Sequence, residues 1–175
     1  MMKHREVYYT TGRFSHAGKN YHRNCGPTAI TNAVYALSDR NDPAEDTYRT
    51  VARMGQRNLI YYNFDLLNYF GGTVDFLSPH YIRKALKRFH LEDVIVHPRR
   101  KIDHPAMMEA LRKGHILYIQ FRHNRRYGNH HALIYDIVDF GNRSCYKLAD
   151  GWKPTPVFVP VEEIGKGYYI EIERQ

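Results

Sequence analysis

The stretch that decides the fold is Asn24-Cys25-Gly26-Pro27-Thr28-Ala29-Ile30-Thr31-Asn32-Ala33-Val34-Tyr35-Ala36-Leu37. Its apolar positions Ala29, Ile30, Ala33, Val34 and Leu37 follow the i, i+1, i+4, i+5, i+8 spacing of a buried helical stripe. Asn24 is a capping residue type, and Pro27 is tolerated in a first turn because its missing N–H would be unpaired there. The spacing therefore predicts a helix that starts at a cysteine. A thiol in that position receives the positive end of the helix dipole, which favours thiolate, and Gly26 keeps the approach open. Backbone N–H groups at a helix start also suit a developing oxyanion. A buried free cysteine is the plainer alternative.

Upstream, the first 23 residues read as loop or short strand. Downstream, Pro43 opens a second helix to about Met54, while residues 58–76 are aromatic-rich, contain Gly71-Gly72 and carry no readable periodicity. Ser78-Pro79 starts a helix bearing Ile82, Ala85, Leu86 and Phe89, and Asp103 caps another that begins near Pro105 and stops at Gly114. Residues 94–96 form a short strand. The period then changes to that of strands at 115–121 (HILYIQF), 131–138 (HALIYDIV), 144–150 (SCYKLAD), 157–161 and 168–172. Helices precede strands, so the expected class is α+β, with an N-terminal helical half and a C-terminal antiparallel sheet in a single domain spanning residues 1–175.

A nucleophilic cysteine needs a base and a group to orient it. His131 stands at the mouth of an apolar strand, although a surface histidine at a strand end would look the same. Asp150 closes the next strand. A two-residue hairpin loop at Phe140-Gly141 places His131 opposite Asp150. A loop at Gly141-Asn142, which suits a type II′ turn better, places His131 opposite Trp152 with Asp150 as a diagonal neighbour on the same face. A register slip of one residue would put His131 and Asp150 on opposite faces. By the same parity His130 and Cys145 point away from the site; His130 reads as a surface residue or a supporting residue behind the site, and Cys145 as structural.

Cysteine before Gly-Pro-Thr-Ala at a helix start, His131-Ala132-Leu133 on a strand, and Asp150-Gly151-Trp152 closing the next together resemble the papain-like cysteine peptidase superfamily. The likeness is to its small bacterial branch, similar to the bacteriocin-leader-processing peptidases, and it spans residues 20–152. The resemblance implies a papain-like fold with Cys25 as nucleophile, His131 as base and Asp150 as orienting residue. It also implies that Trp152 shields that residue from water. The family's oxyanion glutamine, five or six residues before the cysteine, is replaced here by Lys19 and Asn20. Asn20 and the Cys25 backbone are then the candidate oxyanion donors.

The chemistry expected from this set is a cysteine peptidase or amidase acting through a thioester. The alternatives are an acyltransferase or amide-bond former on the same fold, and a catalytically inactive binding domain. Only two cysteines are present, which excludes a disulfide scaffold and a four-cysteine zinc site, and no metal or cofactor is expected. The 26 Lys and Arg against 18 Asp and Glu give a net charge of +8, favouring a peptide or acyl substrate of acidic character. No nucleic-acid motif accompanies that charge. There is no apolar run of membrane-spanning length, and the N-terminus, MMKHREVYYTTGRF, lacks a signal-peptide core, so a cytoplasmic location is expected.

Overall fold

The helix predicted from residues 24–37 is the centre of the fold. A computed structural model describes residues 4–15, 23–66 and 70–175 of the chain. A short turn of helix, α1 (Thr11–Ser15), precedes α2 (Cys25–Ala36), in which every residue from Gly26 onward is buried. A helix apolar on all sides must be surrounded by other elements. It packs against α3 (Ala44–Arg57), against α4 (Ser78–Arg88) and against the sheet. Two expected caps differ from expectation. Asn24 occupies the cap position, but its amide donates to the Thr11 carbonyl at 3.2 Å and makes no cap bond. Ser78 is the first residue of α4 and is buried. Asp103 does cap its helix, α5 (His104–Arg112), accepting from the Ala106 N–H at 3.2 Å.

Residues 61–73, unassigned from the sequence, contain a hairpin of β1 (Tyr61–Leu66) and β2 (Phe70–Thr73), followed by a 3₁₀ turn at Asp75–Leu77. The remaining strands are β3 (Val94–Arg99), β4 (Ile116–Asn124), β5 (Gly128–Asp139), β6 (Ser144–Ala149), β7 (Val157–Pro160) and β8 (Gly167–Arg174). They form an antiparallel sheet in the order β3-β8-β4-β5-β6-β7. Helices α2 to α4 cover one face, against Tyr118, Leu133, Tyr135 and Ile170. α5 covers the other through Met107 and Leu111, against Leu117, Ile119, Ala132 and Ile134. Covering both faces explains why residues 116–121 of β4 read as an apolar run interrupted only by Gln120. The class is α+β, with helices toward the N-terminus and the antiparallel sheet toward the C-terminus. Among the described residues, no helix is long and apolar enough to cross a membrane.

The β5–β6 hairpin decides which side chains share a face. Its tip is the Gly141-Asn142 loop, with the Phe140 N–H donating to the Arg143 carbonyl at 2.8 Å and Gly141 at φ +70°. From the tip, Asp139 pairs with Ser144, Val138 with Cys145, Ile137 with Tyr146 and Asp136 with Lys147. The register then steps by one, so that Ile134 meets Leu148 and Leu133 meets Ala149. Tyr135 is the extra residue of a β-bulge. Its buried ring anchors the bulge, with the hydroxyl donating to the Val7 carbonyl at 2.7 Å.

Gly167 opens β8 opposite Phe121. A Cβ there would lie 2.1 Å from the Gln120 carbonyl oxygen, at a φ of +156°. The carbonyl is fixed in the ladder and cannot move aside. Gly167→Ala is therefore expected to cost about 2–3 kcal/mol and to lower Tm by roughly 5–10 °C in a thermal melt. An unchanged melt would show that the β4–β8 approach is looser than described.

Candidate active site

A cleft of about 780 Å³ opens where the start of α2 meets β2, β4 and β5, and Cys25, Asp75, Gln120 and His131 line it. Cys25 is partly exposed there. Burial pushes its thiol up from the ordinary value, and Asp75 adds repulsion, while backbone N–H groups of His131, Gly26 and Cys25 itself oppose the shift. Desolvation outweighs the helix start, so the resting residue is a neutral thiol where the sequence favoured a thiolate. Gly26 is required for close packing: a Cβ there would lie 2.1 Å from Thr73 Oγ1 on β2. This contact holds the hairpin against the nucleophile.

His131 lies within β5, which begins three residues earlier than expected, and it pairs with Gln120 on β4. Its ring is buried on the α2 face. Nδ1 lies 2.7 Å from the Tyr118 hydroxyl, and Nε2 lies 3.4 Å from Asp75 Oδ1. Burial pushes the Tyr118 phenol well above its usual range, so it stays a neutral donor. The two partners together specify the tautomer with the proton on Nε2, facing the carboxylate, and Nδ1 accepting from Tyr118. Asp75 is itself held. Gln120 Nε2 donates to its Oδ2 at 2.5 Å, and Arg122 Nη2 stands 3.6 Å from the same oxygen. Arg122 Nε donates to Gln120 Oε1 at 3.1 Å. The Tyr168 hydroxyl donates to the Asp75 carbonyl at 2.5 Å. Gln120 and Arg122 thus fix the carboxylate beside His131, and Tyr168 fixes its backbone.

Asp150 does not meet His131. The bulge at Tyr135 supplies the one-residue slip that separates them, so Asp150 falls beside Ala132, on the other face from His131. Its Oδ1 instead accepts the N–H groups of Trp152 and Lys153, at 2.8 and 3.0 Å. This closes a turn around Gly151, at φ +74°. The Gly151 carbonyl accepts the Thr11 N–H at 2.7 Å, and Thr11 in turn holds Asn24. Asp150 therefore builds the cleft wall. Trp152 was expected to shield Asp150. Its ring is instead half exposed and packs on His130, with ring centroids 4.6 Å apart. His130, expected at the surface or as a supporting residue behind the site, is buried between Trp152 and Tyr127 with Nε2 2.6 Å from the Asp150 carbonyl. Asn20 lies outside the described residues. Cys145 is buried in β6 opposite Val138 and Pro160 and does not line the cleft.

Burial holds His130 neutral, pushing its pKa down from 6.5 to about 4, with the Asp150 carbonyl opposing the shift. Between those values the unfolded chain binds a proton that the folded chain does not. Stability from this group is therefore complete above about pH 6.5 and is lost as pH falls toward 4, by roughly 3 kcal/mol over the window. Urea melts of wild-type and His130→Phe protein from pH 7 to pH 4.5 should show a shallower loss in the variant. Parallel curves would contradict a buried neutral His130.

Sequence reasoning missed Asp75, Gln120 and Tyr118. Asp75 sits in the stretch without periodicity, where no local signal marks it. Gln120 did leave a signal: it is the one amide in the otherwise apolar run of residues 116–121, two residues from Tyr118 and so on the same face. Among known proteins, no family model matches the chain and no curated protein is similar to it.

Proposed function

We propose that the protein is a cysteine-nucleophile enzyme of papain-like design that cleaves a peptide or amide bond through a thioester, with Cys25 as nucleophile, His131 as base and Asp75 as the orienting carboxylate. The observation that carries this reading is the convergence of Cys25, at the start of α2, with His131 on β5 in one polar cleft, while Asp75 faces the His131 ring at 3.4 Å. Because the resting thiol is neutral, its proton leaves as Sγ attacks the acyl carbon, and His131 accepts it. Asp75 stabilises the imidazolium. The backbone N–H groups of Cys25 and Gly26, which bond the resting thiol, are the donors offered to the developing oxyanion. The imidazolium then protonates the leaving amine, and water, deprotonated by His131, releases the acid and restores the thiol. An amine in place of water would give acyl transfer.

One observation favours a binding domain on the same scaffold: Tyr118 and Asp75 engage both ring nitrogens of His131, and among the described residues no hydrogen bond joins that ring to Sγ. For catalysis, Nδ1 must exchange the Tyr118 hydroxyl for the thiol proton. Tyr118→Phe is therefore expected to raise acylation of Cys25 by p-nitrophenyl acetate several-fold at neutral pH, at a stability cost of about 1 kcal/mol. Peptide mass mapping of the acyl group tests both readings. An acyl-Cys25 adduct that turns over supports the enzyme. No adduct in wild-type or Tyr118→Phe protein supports the binding domain.

A further inference from the structure

The charges around the cleft are unequal. Among its described lining residues, Asp75 is the one acidic side chain, and it is already held by Gln120, Arg122 and His131. Against it stand Arg23, exposed two residues before the nucleophile, and Arg122, whose side chain is 54% exposed. The Arg122 guanidinium is aligned by its Nε bond to Gln120 and lies over the Tyr168 ring at 5.7 Å. Its Nη1 has no protein partner among the described residues, which leaves donors of a preset planar fork facing the cleft. The lining is otherwise mainly polar, and the exposed Trp152 is its one large apolar surface.

Resting on the cysteine-nucleophile reading of this same cleft, we infer that the substrate carries an anionic group, a carboxylate or a phosphate, close to the bond cleaved, and that Arg122 and Arg23 bind it. Arg122 provides directed donors, and Arg23 adds charge next to the nucleophile. A cationic cleft with protein walls concentrates anions by roughly tenfold or more over bulk solution.

The test compares alkylation of Cys25 by iodoacetate, an anion, with alkylation by neutral iodoacetamide, at fixed pH and ionic strength, with labelling assigned by peptide mass. The iodoacetate-to-iodoacetamide rate ratio at Cys25 should exceed that of free cysteine by about tenfold and fall several-fold in both Arg23→Gln and Arg122→Gln. Anion binding is also read without the thiol, as the rise in melting temperature of Cys25→Ala protein with inorganic phosphate or with succinate at constant ionic strength. Stabilisation by phosphate alone identifies a phosphate ligand, and by succinate alone a carboxylate; either should vanish in the double arginine variant. A ratio equal to that of free cysteine, with no stabilisation by either anion, overturns the inference. Anion binding with an unreactive Cys25 upholds it and overturns the cysteine-nucleophile reading instead.

Discussion

Cys25→Ala protein is expected to form no acyl adduct with p-nitrophenyl acetate and to leave ester hydrolysis at the buffer background. Cys145→Ala should keep the wild-type rate. The contrast follows from where the two thiols sit. Cys25 is partly exposed at the start of α2 and lines the cleft with His131. Cys145 is buried within β6, away from the cleft. Removing the nucleophile removes the covalent step entirely, so the loss is the largest that any substitution here should cause. Replacing the small thiol of Cys25 leaves the helix, its buried stripe and the Gly26–Thr73 contact in place, so Tm should change little. Residual adduct formation in Cys25→Ala protein would place the chemistry elsewhere.

Asp75→Asn is expected to lower the acylation rate by about 10²–10⁴, whereas Asp150→Asn should leave the rate within a few-fold of wild type and lower stability. A carboxylate beside the base both selects its tautomer and stabilises the imidazolium, and an amide does neither. Asp75 Oδ1 faces His131 Nε2, and its Oδ2 is fixed by Gln120. Asp150 spends its carboxylate on the Trp152 and Lys153 N–H groups. Removing its charge weakens two charge-assisted bonds in a buried turn, a loss of roughly 1–3 kcal/mol. The two variants should therefore separate cleanly when rate and urea stability are measured on the same samples. The reverse pattern would restore Asp150 to the role that the resemblance gave it.

The comparison of these two aspartates shows how far the sequence reaches. The helix at Cys25 was legible because buried periodicity and an early proline agree, and the strands from residue 115 onward were legible as short runs rich in β-branched and aromatic residues between turn residues. The hairpin tip at Gly141-Asn142 followed from turn chemistry. The bulge at Tyr135 did not, because a bulge inserts one residue without changing local composition, and one residue exchanges the faces of everything beyond it. That is why Asp150 looked like a partner of His131. His130 does take the opposite face from His131, as parity predicts, and its burial comes from the Trp152 and Tyr127 rings, which no local pattern marks. Asp75 was hidden for a different reason. It reaches the site from a 3₁₀ turn after a hairpin whose glycines and aromatics give neither a helical nor a strand period. The thiol's state was hidden as well. The helix start is visible in the sequence, but the burial that outweighs it depends on β2, β4 and β5 closing over the cysteine.

The account rests on His131 activating Cys25, and the most direct measurement is the pH profile of iodoacetamide labelling at Cys25, mapped by peptide mass against Cys145, in wild-type and His131→Ala protein. Burial pushes the Cys25 thiol up, so an unassisted thiol would react only above about pH 8.5. Labelling of Cys25 at neutral pH, with His131 taking the thiol proton as Sγ attacks, that moves into the alkaline range in His131→Ala protein is the predicted result. Labelling that begins only in the alkaline range, with the same profile in both proteins, would contradict the account.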